Sequence, residues 1–186
     1  MKDYLTPDYM FGSYREITPD FLKSIGVRAL LIDIDNTLAP YEQSEPCAET
    51  LLWFEELAKN GICAALVSNN HEPRVEQFNR TLGLDAYPDS HKPRRGMLEK
   101  AMKKMGVKHS ETAMLGDQLL TDSYAGKHIG LVSIIVPPIK DKTNLFFRSK
   151  RFCERPFIRK YAQLHGYSEW MRFWRIDETV CKSKKG

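Results

Sequence analysis

Cysteine is scarce and scattered in this chain: Cys47, Cys63, Cys153 and Cys181 lie far apart, with no Cys-x-x-Cys and no paired histidine ligands. That pattern argues against a disulfide framework or a zinc site and fits reduced thiols in a cytosolic protein. Long hydrophobic runs are also missing, and none approaches the roughly 18 apolar residues that a membrane-spanning helix needs. The opening "MKDYLTPDYMFGSYREITPD" mixes acids, prolines and aromatics. It has neither the apolar core of a secretory signal nor the arginine-rich face of a transit peptide. Internal repeats and low-complexity segments are absent too.

What is present is ordinary in bulk and uneven in distribution. The 186 residues are 42% hydrophobic and 28% charged, which suits a soluble domain long enough to bury a core. Residues 140–186 hold 13 Lys/Arg against five Asp/Glu, whereas residues 1–139 hold 15 against 19. The same C-terminal stretch carries nine of the 20 aromatic residues. A body over 1–139 and a basic, aromatic, helical extension over 140–186 are therefore expected.

The body alternates strand and helix. "ITPDFLKSIG" reads as a short helix with Thr18 as N-cap, Pro19 at its first position and Gly26 as its stop. "VRALLID" and "ICAALVS" are apolar runs too short for typical helices, as expected of parallel strands buried on both faces. Helices are expected over "CAETLLWFEELAKNG", "EPRVEQFNRTLG", "PRRGMLEKAMKKMG" and "TDSYAGKHIG", with further strands at "AYPDSHKP", "TAMLGD" and "LVSIIVPP". This alternation implies an α/β fold, a parallel sheet with helices on both faces. In such sheets ligands bind beyond the carboxyl ends of the strands.

The polar residues gather at those ends. "ALLI" runs into Asp33, Asp35 and Thr37; "CAALV" into Ser68 and Asn69; the loop after Tyr87 gives Lys92; "TAML" runs into Asp117, with Asp122 five residues on. Singly these are a turn, a helix cap, a solvated lysine and another turn. Together, in this order, they supply phosphoryl transfer. That reaction needs an in-line nucleophile, a metal, positive charge around the phosphoryl oxygens and a proton donor for the leaving group. One carboxylate can attack phosphorus, and a second two residues on can protonate the leaving alkoxide and then activate water. A third completes a hard-oxygen site suited to Mg²⁺. Ser68 and the amides behind it can hold phosphate oxygens, and Lys92 can balance the charge.

These motifs resemble the haloacid-dehalogenase superfamily. In particular, "ITPDFLKSIGVRALLIDIDNTLAPYE", "LVSNN", "HKPRR" and "LGDQLLTD" are similar to the YqeG-type phosphatases of subfamily IIIA. The resemblance covers roughly residues 5 to 150 and implies a Rossmann-like core. It also implies Asp33 as nucleophile, Asp35 as general acid/base and Thr37 as support for their loop. Ser68 and Asn69 would bind the phosphoryl group and Lys92 would stabilise it. Mg²⁺ would be held by Asp33, Asp117 and the backbone carbonyl of Asp35, with Asp122 orienting that shell.

Superfamily members often carry an inserted cap domain. Here Asp33 to Ser68 spans 35 residues and Ser68 to Lys92 spans 24, both already filled by predicted elements. An uncapped, open site suits a phosphate on something large or anchored, such as a protein, a nucleic-acid end or a lipid headgroup; small phosphomonoesters stay in play. The extension interleaves Phe146, Phe147, Phe152, Phe157, Trp170, Phe173 and Trp174 with Lys and Arg. That mixture suits an anionic membrane surface, on the inner face for a cytoplasmic protein. It equally suits core packing with a solvated basic face, and nucleic-acid binding ranks third. Relatives of the YqeG type include phosphatidylglycerophosphate phosphatases, so the resemblance implies conversion of phosphatidylglycerophosphate to phosphatidylglycerol. A different phosphorylated substrate, or a non-catalytic nucleic-acid-binding role, is the alternative.

Overall fold

Strand β2 (Ala29–Ile32) has every residue buried and is flanked on both sides by parallel partners, β3 (Cys63–Val67) and β5 (Thr112–Gly116). The computed structural model describes residues 3–140, 145–176 and 178, with the backbone alone for 145–148. Cys181 and the side chains of Phe146 and Phe147 lie outside the described residues. The remaining strands are β1 (Tyr9–Met10), β4 (Asp85–Tyr87) and β6 (Val132–Ile135). The sheet order is β1-β6-β5-β2-β3-β4, and every pairing is parallel.

Apolar alternation along the central strands divides the core. Leu30, Ile32 and Leu66 face α1 (Pro19–Ser24), α2 (Ala48–Lys59) and α3 (Glu72–Asn79). Leu31, Ala65, Val67 and Met114 face α4 (Gly96–Met105) and α5 (Tyr124–His128). The expected doubly covered sheet is the one observed. Thr18 caps α1 as its sequence indicates, accepting from the Phe21 N–H at 3.1 Å, and Gly26 closes the turn at φ +73°.

Two local details differ from the sequence reading. Strand β1 was not expected. It is two residues long, its partner β6 lies far along the chain, and Asp8 steadies the pairing by accepting from the Ser133 N–H at 2.8 Å. The helix expected over "TDSYAGKHIG" is divided into a π-helical turn at Leu119–Ser123 and the short α5. In the wide turn the Ser123 N–H reaches the Gln118 carbonyl at 3.3 Å, and the Asp122 side chain accepts from the Gln118 N–H at 3.1 Å.

The C-terminal segment is folded onto the sheet edge. Helix α6 (Leu145–His165) and a 3₁₀ turn at Glu169–Trp174 bury Ile158, Tyr161, Ala162, Met171 and Trp174 against Met10, Leu119 and Ile135. The Tyr161 hydroxyl accepts from the Met10 N–H at 3.1 Å, so the helix also shields the short edge strand. No helix of the described residues is long and apolar enough to cross a membrane.

Candidate active site

The order in which strands are added reverses around β2: β3 and β4 build outward on one side, β5 and β6 on the other. The carboxyl end of β2 is thus the topological switch point where the fold opens a crevice. Asp33 leaves the strand there, its N–H still bound to the Leu115 carbonyl at 2.9 Å. The next residues turn tightly: Asn36 takes φ +66°, and its N–H reaches the Ala39 carbonyl at 2.7 Å. This turn buries Asp33, Asp35 and Thr37 together, with the Thr37 hydroxyl 3.5 Å from Asp33 Oδ2.

Lys92 is 4% exposed, and its ammonium touches three oxygens. These are Asp33 Oδ1 at 2.7 Å, Asp122 Oδ1 at 2.8 Å and the Val67 carbonyl at 2.7 Å. Burial alone would depress its pKa, but Asp122 and Asp33 outweigh that and hold it above the ordinary lysine value. Asn69 fixes the lysine's backbone: its Oδ1 accepts from the Lys92 N–H at 2.6 Å and its Nδ2 donates to the Lys92 carbonyl at 3.0 Å. Asn69 therefore lines the cleft with its amide already engaged, while Ser68 Oγ, buried beside it, accepts from the Asn70 N–H at 3.0 Å.

Asp117 and Asp122 arrive from the end of β5. Gly116 makes room for them, because a Cβ there would lie 2.3 Å from the Asp122 carboxyl carbon. Asp33, Asp117 and Asp122 each offer an oxygen within 4.8 Å of the other two. Burial raises the Asp33 pKa; Lys92 opposes the shift and repulsion from Asp122 and Asp117 adds to it. Asp117 is pushed up to about 6, again chiefly by burial. Three buried carboxylates, all hard oxygen donors, fit a small divalent cation, and Asp122 stands as near to that position as the other two.

Several residues at the site have no role assigned from the sequence. Arg74, on α3, pairs with Asp35 Oδ1 at 3.1 Å, while Asn70 Nδ2 donates to Asp35 Oδ2 at 3.1 Å. Both oxygens of Asp35 are thereby oriented. Tyr41, Gln118 and Thr121 help to line the cleft, which encloses about 60 Å³. On that measure one water needs roughly 10–15 Å³, so the cleft is small and has room for a few waters or a group of similar size. Arg151, from α6, reaches Asp117 Oδ2 at 2.7 Å. An arginine in the first turns of a helix that follows a polar strand end was the available clue to Arg74; Arg151 had none.

The family model for haloacid dehalogenase-like hydrolases matches residues 14–130. Over 170 residues the chain is 31% identical to a protein of Bacillus subtilis (strain 168) named probable phosphatase YqeG, covering 91% of this chain and 98% of that one. It is 24% identical over 172 residues to phosphatidylglycerophosphate phosphatase 1, chloroplastic/mitochondrial, of Arabidopsis thaliana, covering 87% of this chain and 49% of that one. Among solved structures, a hypothetical protein from Xanthomonas campestris matches with a TM-score of 0.50 at 20% identity, over 63% of this chain and 72% of that one. An uncharacterized protein from Listeria monocytogenes serotype 4b gives the same TM-score at 12% identity, over 63% and 85%. These structural likenesses bear on the fold alone. With the family model spanning more than half of the chain and the Bacillus relative aligned over nearly all of it, the chain belongs to the haloacid dehalogenase-like hydrolases.

Proposed function

We propose that this protein is a Mg²⁺-dependent phosphomonoesterase that forms an aspartyl phosphate on Asp33 and removes the terminal phosphate of phosphatidylglycerophosphate. The observation that carries the chemistry is the Lys92 ammonium bridging Asp33 and Asp122 at the switch point, with Asp35 fixed in the same cleft. An Asp33 carboxylate oxygen bonds to phosphorus as the bond to the leaving alkoxide breaks. Asp35 gives that alkoxide its proton, then takes one from the water that attacks the acyl phosphate and restores Asp33. Ser68 and Asn69 border the phosphoryl position, Thr37 steadies the loop under Asp33, and Lys92 offsets charge on the phosphoryl oxygens. Asp33, Asp117 and the backbone carbonyl of Asp35 would hold the Mg²⁺, with Asp122 orienting that shell, and the ion would supply positive charge at the reacting phosphate.

Three observations support a lipid headgroup. The cleft is small and lies at the sheet's carboxyl edge without an inserted cap, so the rest of the substrate stays outside it. The Arabidopsis relative is a phosphatidylglycerophosphate phosphatase by name and aligns with 87% of this chain. Helix α6 exposes Phe152 (69%) and Leu164 (59%), and Phe152 lines a shallow groove of about 380 Å³ together with Arg155, Arg159 and Lys160. Each cation near an anionic leaflet contributes about 1 kcal/mol. A cytoplasmic protein resting this face on the inner leaflet meets its substrate there. Trp174, by contrast, serves the core.

The test is phosphate release with Mg²⁺ from phosphatidylglycerophosphate in anionic liposomes, run beside phosphopeptides, nucleic-acid ends and soluble sugar phosphates. Asp33→Asn abolishes all turnover with an unchanged circular dichroism spectrum. A soluble phosphate turned over better than the lipid would move the substrate elsewhere, and salt-sensitive RNA binding without hydrolysis would replace the enzymatic reading altogether.

A further inference from the structure

The cation on Asp117 comes from neither the central strands nor their loops but from α6. Arg151 spans one residue with its fork: one guanidinium nitrogen donates to the Asp117 carbonyl at 2.8 Å, the other to Asp117 Oδ2 at 2.7 Å. The nitrogen on the carbonyl also reaches Glu154 Oε2 at 2.9 Å. Glu154 is fully buried, although it is one of only five acids among 13 basic residues in the C-terminal stretch. Its other oxygen accepts from the Leu119 N–H at 2.8 Å, and Oε2 also accepts from Trp174 Nε1 at 3.2 Å. The guanidinium is stacked 5.3 Å from the Phe173 ring centre. Among the described residues, Asp117 Oδ1 keeps one long contact, 3.3 Å from Gln118 Nε2.

We propose that Arg151 is a positioning residue for the metal centre: held by Glu154, Trp174 and Phe173, it grips the carbonyl and Oδ2 of Asp117 and leaves Oδ1 to the cation. The C-terminal helix thereby completes the catalytic centre that the four strand-end motifs begin. A purely structural ion pair does not require the fork to bridge the carbonyl and carboxylate of a single residue that clusters with Asp33 and Asp122. Partners of this kind fix ligand orientation, and their loss lowers metal affinity about 10- to 100-fold.

The inference rests on the metal-dependent reading above, and one titration separates the two. Free Mn²⁺ is followed by electron paramagnetic resonance as it is added to the full chain, to Arg151→Lys and to Arg151→Gln. Wild-type protein binds Mn²⁺, and both variants bind it roughly 10- to 100-fold more weakly. Deleting a positive charge beside a cation should, on charge alone, tighten binding, so the two effects have opposite signs in Arg151→Gln. Wild-type or tighter affinity in either variant overturns the proposal while leaving the enzyme reading intact; no Mn²⁺ binding by the wild type overturns both. If Arg151→Gln fails to fold by circular dichroism, Arg151→Lys decides the matter, since it retains the charge that Asp117 and Glu154 need.

Discussion

Gly116→Ala adds one methyl group where the structure has no room for it. Its Cβ would stand 2.3 Å from both Cγ and Oδ2 of Asp122 and 2.5 Å from the Asp122 Cβ, against an ordinary contact of at least 3.4 Å. Strand or carboxylate must retreat by about 1 Å. Asp122 is boxed in, 1% exposed, with Lys92 at 2.8 Å and the Gln118 N–H at 3.1 Å. A retreat of that size breaks the Lys92 contact. Overpacking costs about 1–3 kcal/mol, and loosening a charged hydrogen bond adds about 1.5–3 kcal/mol. The expected loss is roughly 2.5–6 kcal/mol, which lowers the melting temperature by about 5–24 °C at ~2–4 °C per kcal/mol. Lys92, released from one anchor, should also lose its alignment, at a cost of roughly 100-fold in turnover. Gly96→Ala is the matched control: its Cβ meets nothing within 4 Å, and it opens α4 without positive φ. It should be neutral or stabilise by about 0.4–1 kcal/mol. Thermal melts and kcat for both variants decide the point. Gly116→Ala melting within about 2 °C of the parent, with parental turnover, would refute the reasoning.

Three more outcomes follow from the same geometry. Asp117 and Asp33 keep protons in the metal-free fold that the unfolded chain releases near pH ~4, so stability without metal falls as pH rises from about 4 through 6 and above. Melts in EDTA and in Mg²⁺ at pH 5 and pH 8 should show a metal gain that grows with pH; equal gains would contradict it. Arg74→Gln frees one oxygen of Asp35 and should lower kcat roughly 100-fold with little change in KM, and unaltered kcat would remove Arg74 from the site. Trp174→Ala hollows the α6 interface and strips a donor from buried Glu154. It should cost about 3–5 kcal/mol, whereas a melting temperature unchanged from the parent would show that the segment contributes no stability.

How far the sequence reaches is clearest at individual positions. β2, β3 and β5 were legible because both of their faces are buried, which writes them as short apolar runs. The acids at their ends stood out against those runs. β1 is two residues long, and its pairing depends on a strand more than 120 residues away, so no local pattern announces it. Arg74, Arg151 and Glu154 reach the site by side-chain length from helices, and a basic residue on a helix looks the same whether it faces water or a buried carboxylate. The same ambiguity hid the division within the C-terminal aromatics: Trp174 is buried and Phe152 is exposed, although both lie in one basic-aromatic pattern.

Tyr161 on Met10, Lys160 on Asp3 and Arg151 on Asp117 tie α6 to the first strand, to the segment before it and to the acidic centre. During synthesis the strand-end acids emerge from the ribosome well before α6 does. Until that helix arrives, the sheet edge stands bare, and Asp117 is an ionisable group without its guanidinium. A nascent chain halted before residue 145 therefore carries all four motifs without the helix whose guanidinium pairs with Asp117.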